Sequence, residues 1–288
     1  MKKIMKTYST LPDIQETTEP EIKEPIDFIG IQKVKMPLIF VDNRISFTAL
    51  SEVSMGVNLS HRVRAASLSE FMRYLKEYVN KPLLIPDDIS KILKSFHKIS
   101  RDNIYWNASY IKFEFDYKKE VQSPVSENSF PEFYKSFYKF QMIDGTVLTT
   151  YKGVTIPYSN YCPCSKSLCD HAGKGIPHSQ KSYCDLIVKS EEKCLSFDYM
   201  IKLIKECVVN KTYPIIRRID EQDIAIKASE NTFFIEDIIR RIRRSLKMID
   251  SIDDWIIRLR HIESIHQHEV IAIDYKGEEF GFNETNFF

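Results

Sequence analysis

The sequence predicts an α+β protein whose two halves have the same order of elements: strand, strand, helix, helix, strand, strand. The chain has 288 residues, 43% of them hydrophobic, which is enough for one large domain or two packed modules. Segments of alternating polarity flank segments with helical i, i+3, i+4 spacing. We therefore expect an extended N-terminal arm over 1–26, a first module over 27–150 and a second module over 151–288.

The first half supplies four strands and two helices. Alternating β-branched and aromatic residues predict strands over 29–41, 45–55, 105–117 and 134–142. Ser67 starts a predicted helix that runs to Leu75, and Glu70 three residues later has the spacing of a capping box. A second helix is expected over 87–96, directly after Pro86. The first two strands are close enough in sequence to form a hairpin.

The second half repeats this order without a residue-level repeat. Strands are predicted over 151–158, 183–188, 255–264 and 270–275. Helical spacing of apolar residues marks 197–208 and 234–249. Between the first two of these strands lies a polar segment, 159–182, which we expect to be a loop.

Composition excludes several classes of partner. The formal net charge is +1, so no field of the whole molecule attracts nucleic acid or an anionic membrane. No run of about 18 apolar residues occurs, and no apolar core follows the first charged residues, so neither a membrane span nor a signal peptide is predicted. We expect a cytoplasmic protein, in which cysteines are ligands, nucleophiles or small core residues rather than disulfides.

The segment 159–182 holds three of the six cysteines and two of the seven histidines. Pro163 separates Cys162 from Cys164 and fixes its own φ, so the two thiols flank a stiff bend and can face one site. Thiolates suit zinc or iron, and His171 and His178 supply the other usual ligand type. The alternative is that both cysteines are small residues packed within a loop.

His266 and His268 lie between the last two predicted strands. Residues at i and i+2 of a strand face the same way, and imidazoles bind metals or transfer protons near neutral pH. Taken by themselves, they are equally compatible with solvated surface histidines.

Charged residues mark two further places. Arg217 and Arg218 precede Asp220 and Glu221, a pattern that offers cations for phosphate and a hard oxygen ligand for a metal. Glu236, near a helix start, is a candidate bidentate acceptor for the edge of a heterocycle. Solvated helix ends are the alternative in both places.

These segments resemble the type IB GTP cyclohydrolase I family over most of the chain. The motifs that carry the resemblance are, in order, Pro-Asp-Ile-Gln at 12–15, Pro-Ile-Asp-Phe-Ile-Gly-Ile at 25–31, Ser-Pro-Val-Ser at 123–126, Cys-Pro-Cys-Ser-Lys at 162–166, His-Ser-Gln-Lys-Ser at 178–182, Arg-Ile-Asp-Glu at 218–221, Phe-Ile-Glu-Asp at 234–237 and Glu-Ser-Ile-His-Gln-His at 263–268.

The resemblance implies a tunnelling fold (T-fold), with two tandem modules of antiparallel sheet and helices on one face. It implies a homotetramer with active sites at the subunit interfaces. The family reaction converts GTP and water to 7,8-dihydroneopterin triphosphate and formate, the first step of folate biosynthesis. The cofactor implied is a divalent metal ion, for which zinc, manganese and iron are all compatible with a Cys/His/Glu ligand set.

By match of motifs, the resemblance also assigns roles to residues. The implied metal ligands are Cys162, His178, Glu221 and His266, and the implied guanine anchor is Glu236. Cys162, Cys164 and His268 are the implied catalytic residues, with Cys164 and His268 moving protons. Candidates for the triphosphate are Lys166, Lys181, Arg217 and Arg218. Either His266 or His268 satisfies the motif as the ligand.

The chain departs from the family pattern at several positions. Ser67 stands in place of a histidine, Glu70 in place of an arginine and Lys181 where arginine is usual. The segment between Cys164 and His178 is also longer than usual. Two alternatives therefore stay open: a divergent paralogue that acts on another purine nucleotide or releases a different intermediate, and a non-catalytic metal-binding scaffold.

Overall fold

In the computed structural model, the described residues are 18–42, 44–100, 107–190 and 195–277. Within these ranges, the strands are β1 Ile26–Asp42, β2 Ile45–Leu59, β3 Pro82–Ile85, β4 Ala108–Gln122, β5 Ser129–Ile143, β6 Val147–Tyr161, β7 Ser179–Ser190, β8 Asp254–Glu263 and β9 Glu269–Lys276. The helices there are α1 Leu68–Lys76, α2 Asp87–Ser100, α3 Pro163–Ala172, α4 Phe197–Cys207, α5 Arg218–Glu230 and α6 Ile235–Leu246. None of these helices is long and apolar enough to cross a membrane.

The described strands belong to a nine-stranded sheet of order β3-β1-β2-β4-β5-β6-β7-β8-β9. The predicted hairpin is confirmed, because β1 and β2 pair antiparallel from Asp42 and Ile45 outward. β3 pairs parallel with β1, so the sheet is mixed. The prediction of a T-fold built from two tandem modules of antiparallel sheet is therefore wrong.

The described residues divide into two compact units. Of the described residues, those up to Phe113 and Lys139–Leu148 form one unit, and Glu114–Tyr138 and those from Thr149 onward form the other. β4 and β5 are each divided between the two units, so the chain does not complete one sheet before it starts a second. The predicted domain boundaries at 26 and 150 stay predictions, and residues 1–17 of the predicted arm lie outside the described residues.

The first unit has a core formed by the β1–β2 hairpin and two helices. α1 buries Phe71 and Leu75, which are one turn apart on the same helix face. The rings of Phe71 and Phe96 lie 4.7 Å apart, so α1 and α2 meet through this aromatic pair. Ser67 is the N-cap of α1, but its side chain makes no capping hydrogen bond, so the predicted capping box does not form.

The second unit carries the predicted site and has its own core. Ser196 is the N-cap of α4, and its hydroxyl oxygen accepts a hydrogen bond from the Tyr199 N–H at 3.2 Å. α6 buries an apolar stripe on one face while its arginines stay exposed, and the stripe consists of Ile235, Ile238, Ile242 and Leu246. Each such buried side chain stabilises the fold by about 1.5–3 kcal/mol. This packing fixes α6, and with it the position of Glu236.

Each of the other expected elements overlaps an observed one, although the helix expected over 234–249 extends beyond both ends of α6. Residues 105 and 106 of one predicted strand lie outside the described residues. The expected loop over 159–182 contains the helix α3, and α5 and β3 were not predicted. The loop prediction failed because α3 has no buried residue, so it lacks the apolar stripe that marks a surface helix.

Candidate metal and substrate site

The cysteine-rich segment is positioned by α3. Cys162 is the N-cap of this helix and Pro163 occupies its first turn, where a missing backbone N–H costs nothing. Gly173 ends the helix in the left-handed conformation, with φ 66°. Cys162 is half-buried and Cys164 is exposed, so the two thiols differ in their access to solvent.

His178 lies directly beside Cys162. The backbone N–H of Cys162 donates to the His178 carbonyl at 3.3 Å, and the His178 N–H donates to the Ser165 hydroxyl at 3.3 Å. The His178 Nδ1 atom is buried and has no hydrogen-bond partner among the described residues. Buried polar atoms without a partner are rare, and a metal ion or an ordered water would satisfy this one.

His266 and His268 lie in the turn between β8 and β9 rather than on a strand. Their rings nevertheless stack, with centroids 4.7 Å apart and planes at 19°. The Ser264 N–H donates to the Ser179 carbonyl at 3.1 Å, which holds this turn next to the start of β7. His178 directly precedes that strand. The turn, and not strand alternation, therefore brings the two imidazoles side by side.

Asp220 fixes the start of α5. Its carboxylate accepts four hydrogen bonds, at 2.6–2.9 Å: from the Val125 N–H, from the N–H and hydroxyl of Ser126, and from the Arg217 N–H. Burial acts to raise the pKa of Asp220, but these hydrogen bonds hold it well below its usual range. Asp220 is thus a fixed structural anion, and its neighbour Glu221 is exposed on α5.

The remaining predicted contacts are spread over several elements. Glu236 is exposed in the first turn of α6. Lys166 pairs with Asp170 one turn along α3. Lys181 lies with its Nζ 5.8 Å from the ring centroid of Tyr183. Arg217 is the exposed N-cap of α5, and Arg218 is its exposed first residue.

Sequence reasoning missed a row of hydrogen-bonded polar side chains. The Asn160 side-chain N–H donates to the Gln180 side-chain oxygen, and the Gln180 N–H donates to the Glu263 carboxylate, at 2.7 and 2.8 Å. Gln180 and Glu263 both belong to motifs that carry the family resemblance. The motifs thus marked both residues, but only the strand register shows that they are neighbours.

A second missed pair is His261 and Tyr158. His261 is 2% exposed, and its Nε2 lies 2.7 Å from the Tyr158 hydroxyl. Burial lowers the pKa of His261 to about 4, although the carboxylates of Glu263 and Glu236 act to raise it. Burial also raises the pKa of Tyr158, so the phenol keeps its proton. The pair therefore stays neutral near neutral pH, close to the carboxylates of Glu263 and Glu236.

The predicted metal ligands are only partly gathered within one chain. Cys162 and His178 are adjacent, and the turn that carries His266 adjoins the strand that begins after His178. Among the described residues, no group of three or more His, Cys, Asp or Glu side chains is arranged to hold a metal ion. The donor types fit zinc, manganese or iron, and the unpartnered Nδ1 of His178 fits a ligand role.

A comparison with family models matches residues 11–272 to the family described as type I GTP cyclohydrolase folE2. GTP cyclohydrolase FolE2 of Geobacter metallireducens is 27% identical over 266 residues, which cover 92% of this chain and 96% of the relative. GTP cyclohydrolase FolE2 of Hydrogenovibrio crunogenus is 26% identical over 308 residues, covering 96% and 98%.

Among solved structures, a hyper-thermostable mutant of AgUricase matches with a TM-score of 0.50 at 6% identity, covering 89% of this chain and 93% of that one. Uricase from Arthrobacter globiformis matches with a TM-score of 0.48 at 6% identity, covering 90% and 96%. At 6% identity, the likeness to the AgUricase mutant concerns the fold alone.

Proposed function

The chain belongs to the type I GTP cyclohydrolase FolE2 family, and from this premise we propose that it converts GTP and water to 7,8-dihydroneopterin triphosphate and formate. This reaction is the first step of folate biosynthesis. The match of residues 11–272 carries the proposal, because it includes every residue assigned to the site. A cytoplasmic location stays a prediction from the sequence.

We propose that Cys162, His178, Glu221 and His266 hold a divalent ion, either zinc, manganese or iron. Such an ion, when bound, would lower the pKa of water and so supply hydroxide near neutral pH for hydrolysis at C8 of the purine. The described residues of one chain do not gather three donors. We therefore propose that the set is completed in a homotetramer with sites between subunits.

The protein's own residues bind the substrate and move protons. Glu236, exposed on the first turn of α6, accepts from N1–H and the N2 amino group of guanine, whereas adenine would leave the carboxylate unpaired. Cys164 and His268, both exposed, transfer protons as the imidazole ring opens and formate leaves. Lys166, Lys181, Arg217 and Arg218 are the proposed contacts to the triphosphate.

The test is turnover of GTP by protein reconstituted separately with zinc, manganese and iron(II). Formate release and pterin fluorescence after oxidation are both measured. We expect Glu236→Gln to lower kcat/KM by about 100-fold or more, because two hydrogen bonds to a charged acceptor are weakened. Asp237→Asn is the matched control, since Asp237 lies in the same helical turn and pairs with Arg240 at 3.1 Å instead.

Each alternative gives a different outcome. Formate without the pterin points to a paralogue that releases another intermediate. Absence of turnover with all three metals, although metal is bound, contradicts the proposal and leaves another purine nucleotide or a scaffold role. Equal losses of kcat/KM in Glu236→Gln and Asp237→Asn contradict only the assignment of Glu236 as the guanine acceptor.

A further inference from the structure

We propose that Asn160 is a positioning residue that couples the start of α6, which carries Glu236, to the turn that carries His266. The coupling runs through the side chains of Gln180 and Glu263. This inference rests on the proposed function, because it treats Glu236 as the guanine acceptor and His266 as a metal ligand.

The Asn160 side chain donates two hydrogen bonds, one to the segment before α6 and one to β7. It is 1% exposed, and its side-chain Nδ2 donates to the Phe233 carbonyl at 2.7 Å and to the Gln180 Oε1 at 2.7 Å. The backbone carbonyl can only accept, so the amide nitrogen of Asn160 must face it. Both amide hydrogens of Asn160 are thereby used, one toward α6 and one toward β7.

The orientation of Gln180 follows from that of Asn160. Gln180 is 5% exposed and presents its oxygen to Asn160, so its nitrogen is left to donate to Glu263 Oε1 at 2.8 Å. The second carboxylate oxygen, Oε2, lies 3.5 Å from His266 Nε2. The row therefore has one consistent direction of donation, from Asn160 through Gln180 to the carboxylate beside His266.

Strand register places these side chains in line. Asn160 pairs with Gln180 across β6 and β7, and Gln180 pairs with Glu263 across β7 and β8. Directly opposed residues on antiparallel strands have neighbouring side chains on the same face. Three adjacent strands thus form a rigid polar row that ends at the turn of His266.

The other end of the row reaches the start of α6, which carries the proposed guanine acceptor Glu236. Phe233 precedes Phe234, the N-cap of α6, and Glu236 follows in the first turn of that helix. The guanidinium carbon of Arg241 lies 4.0 Å from the ring centroid of Phe233, so this residue is held from both its backbone and its ring. A displacement of the Phe233 carbonyl moves the first turn of α6, and Glu236 with it.

A purely structural role for the row makes a different prediction from a positioning role. If Asn160 only stabilises the sheet, its loss lowers the melting temperature and leaves affinities unchanged. If it positions both ends, its loss weakens GTP binding and metal binding together, because both Glu236 and His266 lose their support. Polar groups one contact removed from a metal ligand typically change metal affinity by 10–100-fold.

Asn160→Leu, which removes both hydrogen bonds and keeps the branch at Cγ, is compared with Asn210→Leu. Asn210 is the matched control because its side-chain N–H donates at 2.8 Å to the Asn231 carbonyl, in the same segment before α6, and among the described residues its side chain has no hydrogen bond to Gln180 or Glu263. Three quantities are measured: the affinity of the metal-free protein for GTP, the affinity for Mn²⁺ by competition with a chelator, and the melting temperature.

We expect Asn160→Leu to weaken both GTP and Mn²⁺ binding by about ten-fold, and Asn210→Leu to lower only the melting temperature. Should Asn160→Leu fail to fold, Gln180→Glu tests one arm, because it keeps the acceptor for Asn160 and removes the donor to Glu263. We expect that variant to weaken Mn²⁺ binding and to keep GTP affinity.

Unchanged affinities in Asn160→Leu, with wild-type protein that turns over GTP, overturn the coupling and leave the proposed function intact. A wild-type protein that binds Mn²⁺ but neither binds nor converts GTP overturns the proposed function, and the coupling with it. Loss of GTP affinity alone in Asn160→Leu also overturns the coupling, because the arm to His266 then does no positioning.

Discussion

His261 and His266 lie five positions apart and are both close to the carboxylate of Glu263, yet they occupy opposite environments. His261 is 2% exposed and its pKa is lowered to about 4 by burial. The side chain of His266 is 44% exposed and stacks on His268. Glu263 acts to raise the pKa of the first and lies 3.5 Å from the second.

Burial, and not the charge of Glu263, therefore decides the direction of the pKa shift of His261. His261 remains neutral and serves as a fixed hydrogen-bond partner of Tyr158. The exposed pair in the turn has the solvent access that its proposed roles in metal binding and proton transfer require. Variants that act on one region and spare the other test this division.

The largest expected effect comes from the exposed pair. We expect His266→Ala to lose bound metal and turnover together, because it removes a proposed ligand. His268→Ala should retain metal and lose turnover by about 10²–10⁴-fold, the usual contribution of a general acid or base. Metal content by elemental analysis and kcat for GTP, measured on the same preparations, distinguish the two roles. Loss of metal in His268→Ala but not in His266→Ala would reverse the assignment.

A smaller effect is expected at the buried pair. His261→Phe removes the 2.7 Å contact between the Tyr158 hydroxyl and His261, which should lower the free energy of unfolding by about 1–3 kcal/mol. Urea unfolding measures this loss, and metal content should stay at the wild-type level.

The control for His261→Phe is the double variant with Tyr158→Phe. Since it removes both polar partners, it should regain part of the stability lost in the single variant. A loss of metal as large as that in His266→Ala would show that His261 belongs to the chemical site after all.

The sequence predicted elements with a clear period and missed those without one. α6 was expected because Ile235, Ile238 and Ile242 recur on one face, and all three are buried. α3 was missed although Pro163 and Gly173 are good start and stop signals, because no residue of that helix is buried. Helix start and stop signals without an apolar face are therefore not sufficient to predict a helix that lies on the surface.

The site was predictable as a set of motifs and not as an arrangement. Cys162 and His178 are brought together by a backbone hydrogen bond across 16 positions, which no local pattern specifies. The row from Asn160 to Glu263 depends on the register of three strands. Such register is fixed by the packing of the whole sheet, so a single sequence does not reveal it.

The smallest expected effect is the pH dependence that His261 gives to stability. Its pKa falls from 6.5 in the unfolded chain to about 4 in the fold. Between these values the unfolded chain binds a proton that the folded chain does not, so the free energy of unfolding decreases as the pH falls below about 6.5. Between about pH 7 and pH 5.5 the decrease from this group amounts to about 1 kcal/mol.

Asp220 provides the contrast to His261 in the acid range. Its pKa is lowered by hydrogen bonds from Ser126, Arg217 and Val125 that outweigh burial, so its stabilisation is lost only at pH values below the ordinary aspartate range. Urea unfolding at several pH values between about 7 and 5 should therefore give a shallower slope for His261→Phe than for the wild type. Asp220 remains ionised throughout this window in both the folded and the unfolded chain, so it does not contribute to the slope. Equal slopes for the two proteins would mean that groups other than His261 cause the pH dependence.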